Sequence, residues 1–240
     1  MESGIIQGDD LQSLKSKFES VQRKAIVFYS IRKAGGGKLG NAISAYVGSD
    51  ATFHVNNKDD IEALKQAIAD GKFDGNGTYF ILGNKAIDIS DELAAVIPVF
   101  AITILRDPVE LMDAQLVSSG ETATEFMKNY RPNKMLRTLK FKNGRDALRS
   151  HADRLSYTVT MDKIGAAMNI LNWVLSLPQA APAPKPASAP AAKPPAPARE
   201  EIDPSLLPDF IEANTGDFMF YEFMKMRQAQ LARELEGLTA

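Results

Sequence analysis

The chain has 240 residues, with 28 Lys and Arg against 30 Asp and Glu; a formal charge of -2 excludes the global positive field of a non-specific nucleic-acid binder. Hydrophobic residues make up 45% of it, enough to core one large domain or two small ones. With no cysteine, disulfides, thiolate metal sites and a cysteine nucleophile are excluded, and with only His54 and His151 a histidine-rich zinc site is not expected.

Residues 1–24 read as a polar lead-in, helical from Asp10 onward and without the apolar core of a secretory signal. No apolar run approaches the roughly 20 residues of a membrane span. These features, with the missing cysteines, lead to the expectation of a cytoplasmic protein.

AIVFYSI (25–31) is a short aromatic and β-branched run that suits a buried strand. It runs into RKAGGGKLG, and a helix follows with Leu39, Ala42, Ile43 and Tyr46 near one face. ATFHV (51–55) is a second strand. Residues 59–71 form a helix with acids in the first turn and glycine after the last. TYFILG (78–83) is a third strand, and 88–97 a helix capped by Asp or Ser. PVFAITIL (98–105) is the strongest buried-strand signal, and Asp107-Pro108 then opens a helix as cap and first helical residue. Alternation at this spacing predicts βαβ units: a three-layer α/β/α fold with a central parallel sheet and ligands at the carboxyl ends of its strands.

Further on, 121–150 is helical and basic, LSYTVT (155–160) is a late strand, and a helix follows it. Eight of the 13 prolines fall in 178–199, alternating with alanine and almost devoid of large apolar residues. This composition predicts an extended tether of roughly 70 Å reach at about 3.1 Å per residue. The helix after it is apolar on nearly every side in its first half, so 200–240 is expected to pack back onto the domain of 25–177.

Two segments carry chemistry. Gly35-Gly36-Gly37 lets backbone N–H groups approach an anion, the following helix adds its positive end, and Arg32, Lys33 and Lys38 supply charge. This departs from the ATP-binding loop G-x-x-x-x-G-K-[ST]: Arg32 stands at the first glycine, and Leu39 replaces the magnesium-binding hydroxyl. In the second segment a strand delivers Arg106 to the sheet edge, where its planar fork can hold another phosphate.

Lys33-Ala34-Gly35-Gly36-Gly37, Leu105-Arg106-Asp107-Pro108-Val109-Glu110 and Asp217-Phe218-Met219-Phe220-Tyr221-Glu222-Phe223 occur in the order of three motifs of the sulfotransferases that use 3′-phosphoadenosine 5′-phosphosulfate (PAPS). With Asn129-Tyr130 and Met135-Leu136 between them, the chain resembles that family, its carbohydrate branch above all, from about residue 25 to 227. The resemblance implies PAPS as cofactor, with no metal expected, and a small-molecule or glycan hydroxyl as acceptor. Lys33, Ala34 and the 35–38 loop, with Arg32 beside it, would bind the 5′-phosphosulfate, and Arg106 the 3′-phosphate. Lys33 would also neutralise charge on the leaving oxygen.

Departures mark where the chain differs. Gly37 replaces the family's Thr or Ser. Ala114 stands where the family places a serine, leaving Ser118 or Ser119 one turn further on. Gly83-Asn84-Lys85 replaces a Gly-His, so His54 and Lys85 are the candidate bases. His151, in a polar stretch, reads as a surface residue. Lys128, Arg131, Lys134, Arg137, Lys140, Lys142, Arg145 and Arg149 concentrate positive charge against Asp146 alone, facing either cofactor phosphates or an anionic acceptor, or simply solvent. The competing readings are a non-catalytic sulfotransferase-like binding or scaffold protein and a nucleotide-dependent phosphotransferase.

Overall fold

The computed structural model describes residues 4–177 and 204–239. The elements run β1 (Gly4–Ile5), α1 (Leu11–Ser20), β2 (Arg23–Tyr29), α2 (Gly37–Val47), β3 (Thr52–His54), α3 (Lys58–Ala69), β4 (Gly77–Gly83), α4 (Ser90–Ala94) and β5 (Pro98–Leu105). They continue with α5 (Pro108–Ser119), α6 (Ala123–Asn129), α7 (Lys134–Thr138), α8 (Gly144–Ser150), β6 (Tyr157–Thr160), α9 (Ile164–Val174), α10 (Leu207–Ala213) and α11 (Thr215–Thr239).

The protein is a three-layer α/β/α fold around an all-parallel sheet, ordered β3-β4-β2-β5, with β1 and β6 sharing the outer side of β5. β1 pairs with Pro98 and Val99, and β6 with the run from Ile102 to Leu105. All eight residues of β5 are therefore buried, which is why its sequence is a continuous apolar run. On one face the Phe18 ring of α1 meets Phe100 edge-on at 5.3 Å, and Gly36 and Gly40 of the loop and α2 lie against Phe28. On the other, Phe73 packs against Phe53 and Tyr79.

Local chemistry sets the ends of the helices. Asp10 caps α1, and Lys24 donates to the carbonyls of Phe18 and Val21 at its C-terminus. Asn57 and Asp60 make a reciprocal capping box on α3, as do Thr122 and Glu125 on α6. Asp107 accepts from Val109 and Glu110 N–H, with Pro108 at the first helical position, as the sequence predicts.

Several expectations give way. The lead-in is part of the domain: β1 adds a strand to the sheet, and Leu11, Leu14 and Phe18 enter the core. Its polar composition hides the strand because two residues are too few for a periodic signal. The helix expected at 88–97 shortens to α4 and begins without an Asp or Ser cap, because the Ser90 hydroxyl donates to Ile87 O. On α2, Tyr46 and Ala42 are exposed while Gly40 joins Leu39 and Ile43 inside, facing Phe28 and Leu82. His151 is half-buried, its ring edge-on to Phe223 at 5.3 Å. The Ala/Pro tether of 178–199 lies outside the described residues.

α11 packs against α7, α8, α9 and β6, burying Phe220, Tyr221, Met224 and Leu231, so the C-terminal helices belong to the same core. Met219 and Met226 remain exposed. Gln228 ties α11 to the sheet by accepting from Thr160 N at 2.6 Å and donating to Lys163 O at 3.0 Å. Among the described residues, no helix is long and apolar enough to cross a membrane.

Candidate functional site

Because every strand is parallel, the loops after β2, β3, β4, β5 and β6 leave from one edge. The connection from β2 goes toward β3 and that from β5 toward β6, so the crevice between these two central strands is the switch point where open α/β sheets bind ligands. The glycine loop stands on one side of it and Arg106 on the other.

The loop is held in shape by its glycines and its neighbours. Gly35 has φ 99°, and a Cβ there would lie 2.6 Å from Met161 Sδ. A Cβ on Gly36 would run into the Phe28 ring, whereas the space around Gly37 is open. Lys33 adopts a left-handed φ of 71°, uncommon for a side chain with a Cβ. Its carbonyl accepts from Arg106 Nη1 at 3.3 Å, and the Arg32 carbonyl accepts from Gln115 Nε2 at 3.4 Å. Gly36 begins α2 without a side-chain cap, leaving the helix N-terminus with backbone donors and a positive dipole end toward the crevice.

The cradle thus has the donor set an anion requires. Arg32, Lys33 and Lys38 are exposed beside it and Ala34 is buried beneath. Arg106 is partly committed: its Nε donates to Glu110 at 3.1 Å, so it braces the loop as well as charging the crevice.

A cavity of about 150 Å³ lies where α2 meets the ends of β3 and β4. Gly36, Gly37, Ser30, Asn41, His54 and Asn56 supply its polar lining, so His54, the exposed last residue of β3, shares a pocket with the glycine loop. Gly83 closes the floor: its φ is 149°, and a Cβ would collide with Val55 O. Lys85 is not in this lining; its ammonium pairs with Asp88 at 3.3 Å, and Lys140 joins the same carboxylate at 2.8 Å. Burial raises the Asp88 pKa, but hydrogen bonds from Lys140 and Lys85 outweigh it and hold the carboxyl below its ordinary value. Ser118 is exposed near the far end of α5, its hydroxyl turned back onto Gln115 O at 2.9 Å; Ser119 bonds to Leu116 O in the same way.

Sequence reading missed Ser30, Asn41, Asn56 and Gln115. Asn41 was findable, four residues after Gly37 on the same helix face. The others come together only through sheet register and loop path.

It also missed a buried polar joint. Asp217 accepts from Met135 N and Leu136 N, each at 2.9 Å. Asn133 accepts from Asp217 N, donates its side-chain amide to Ala213 O and donates its backbone N–H to Asn214 Oδ1. This joint fixes α7 to the start of α11. Burial is the main cause lifting the Asp217 pKa to about 6, against the lowering influence of the Leu136 and Met135 N–H groups and the Arg137 charge.

Comparison with known proteins adds no relative: no family model and no curated protein matches the chain.

Proposed function

We propose that the chain is a PAPS-dependent sulfotransferase acting on a hydroxyl of a carbohydrate or another small acceptor. The observation that carries this reading is the make-up of the cradle: backbone donors of 35–38 at an uncapped helix start, flanked by exposed cations and braced across the crevice by Arg106. Leu39 offers no hydroxyl for magnesium, which sets an ATP-dependent phosphotransferase aside.

When bound, PAPS supplies the sulfuryl group and a phosphate leaving oxygen. In this reading the 35–38 backbone and α2 hold the phosphosulfate, and Lys33 and Lys38 neutralise charge that builds on the leaving oxygen. Arg106 holds the 3′-phosphate and keeps the loop in place. His54, in the lining of the adjoining cavity, takes the proton of the acceptor hydroxyl. Lys85 is the weaker candidate, being occupied by Asp88.

Isothermal titration with adenosine 3′,5′-bisphosphate tests the reading. The wild type binds it, and Lys33→Ala or Arg106→Ala weakens binding about tenfold, the loss of one charged hydrogen bond. Absence of binding to the wild type rejects the reading. The Glu110 and Lys33 bonds already made by Arg106, and Asn84 in place of a basic residue, favour the second reading of a binding protein without transfer. Nucleotide binding with no radiolabelled sulfate passed to any acceptor selects it.

A further inference from the structure

α5, α6 and α7 enclose a second cavity of about 240 Å³, lined by Gln115, Glu121, Phe126, Asn129, Tyr130, Arg131, Lys134 and Arg137. Three of these residues are cationic and one, Glu121, is acidic. Lys134 is half-buried between them. The charges acting on it are those of Arg137, Arg32 and Arg131, and burial followed by these like charges pushes its pKa below the ordinary lysine value. Glu121 is the one carboxylate of the lining, against three cations; of its neighbours, Glu125 is engaged in the Thr122 capping box and Asp217 on the N–H groups of Met135 and Leu136. A half-buried ammonium among like charges is unfavourable unless an anion joins it.

We propose that this cavity is a second oxyanion site, in which Lys134, Arg131 and Arg137 hold a phosphate or sulfate group of a ligand whose other end reaches the glycine loop. Gln115 links the two places, since it lines the cavity and donates to the carbonyl of Arg32 at the head of the loop. Size argues that only one end of a ligand enters: whole small-molecule pockets run from roughly 300 to 1,000 Å³. The Tyr130 ring, packed at a tilt against Phe126 at 5.5 Å and Phe210 at 5.4 Å, gives the anion a firm apolar wall. The group belongs either to the acceptor or to the nucleotide, whose 3′-phosphate these cations would then share with Arg106. The link to the loop rests on the proposed function; the anion site itself does not.

The test titrates the full chain and its Lys134→Ala, Arg131→Ala and Lys134→Arg variants with four probes: inorganic sulfate, adenosine 5′-monophosphate, adenosine 3′,5′-bisphosphate and a sulfated monosaccharide. Arg131 is exposed, so its variant keeps the fold even where Lys134→Ala does not; thermal unfolding checks both. Each alanine variant is expected to weaken binding of at least one doubly charged probe about tenfold, with Lys134→Arg retaining it. Loss confined to the bisphosphate, with the monophosphate unaffected, assigns the site to the nucleotide. Loss confined to sulfate and the sulfated sugar assigns it to the acceptor. Binding of sulfate that depends on Lys134 in a chain that binds no nucleotide upholds the site and rejects the sulfotransferase reading. Folded Arg131→Ala and Lys134→Ala variants that bind all four probes like the wild type overturn the proposal.

Discussion

At the glycine loop the charged groups are exposed, and backbone carbonyls take the few side-chain bonds. At the α7–α11 joint Asp217 is 1% exposed and accepts from two buried N–H groups. The same kinds of atoms serve opposite ends. A buried polar group is held because leaving its partners unpaired costs free energy, whereas an exposed cation on an uncapped helix start contributes little to folding and is left free for a ligand. Substitutions at the joint should therefore move stability, and substitutions at the loop should move binding.

The largest effect is expected from Asp217→Ala, a loss of about 3 kcal/mol as Met135 and Leu136 N–H lose their acceptor. Equilibrium urea unfolding measures it, and a loss below about 1 kcal/mol would erase the contrast between the regions.

Next comes pH. The folded state holds the Asp217 proton up to about pH 6, above the ordinary carboxylate range, so ionisation of this group costs stability as pH rises through that window. Acidification from pH 7 to 4.5 should return about 2 kcal/mol from this group alone. Subtracting the profile of Asp217→Asn isolates the contribution from that of His151, whose burial lowers its pKa and acts in the opposite direction. A flat difference curve would remove Asp217 from the account.

Smaller and opposite in sign is Lys33→Gly. The left-handed backbone at Lys33 favours glycine, so stability should rise by about 1 kcal/mol. Binding of adenosine 3′,5′-bisphosphate should fall at the same time. A variant that is both tighter-binding and more stable would contradict the division of labour. The smallest effect belongs to Gly37→Thr. Its surroundings are open, so unfolding should change by no more than about 0.5 kcal/mol, and nucleotide affinity should rise through the added hydroxyl. A fall in thermal stability of many degrees would show that the loop requires glycine there.

Much of the architecture was legible in advance. The runs at 25–31, 78–83 and 98–105 became β2, β4 and β5; in β5 and most of β2 burial on both faces requires an apolar run. Asp107-Pro108 announced the start of α5, since cap chemistry acts within four residues. β1 was not legible: Gly4 and Ile5 are a strand only because the first residues of β5 offer them a partner. The cavity around His54 was half legible. Its glycines and histidine stood out, but Asn41, Ser30 and Asn56 have meaning only once β2, β3 and β4 are in register.

What the amino-acid order determined by itself is what acts over a few residues: strand and helix identity, helix caps, the glycine loop with its cations, and the surplus of positive charge after Lys128. Tertiary structure alone decided which of those charges meet. It brought Arg106 onto the Lys33 carbonyl across 73 positions, seated Asp217 on α7 across more than 80, and joined the distant Lys140 to Asp88. The reason is physical: local order follows from backbone geometry and neighbouring side chains, while the pairing of distant charges depends on which surfaces the buried sheet forces together.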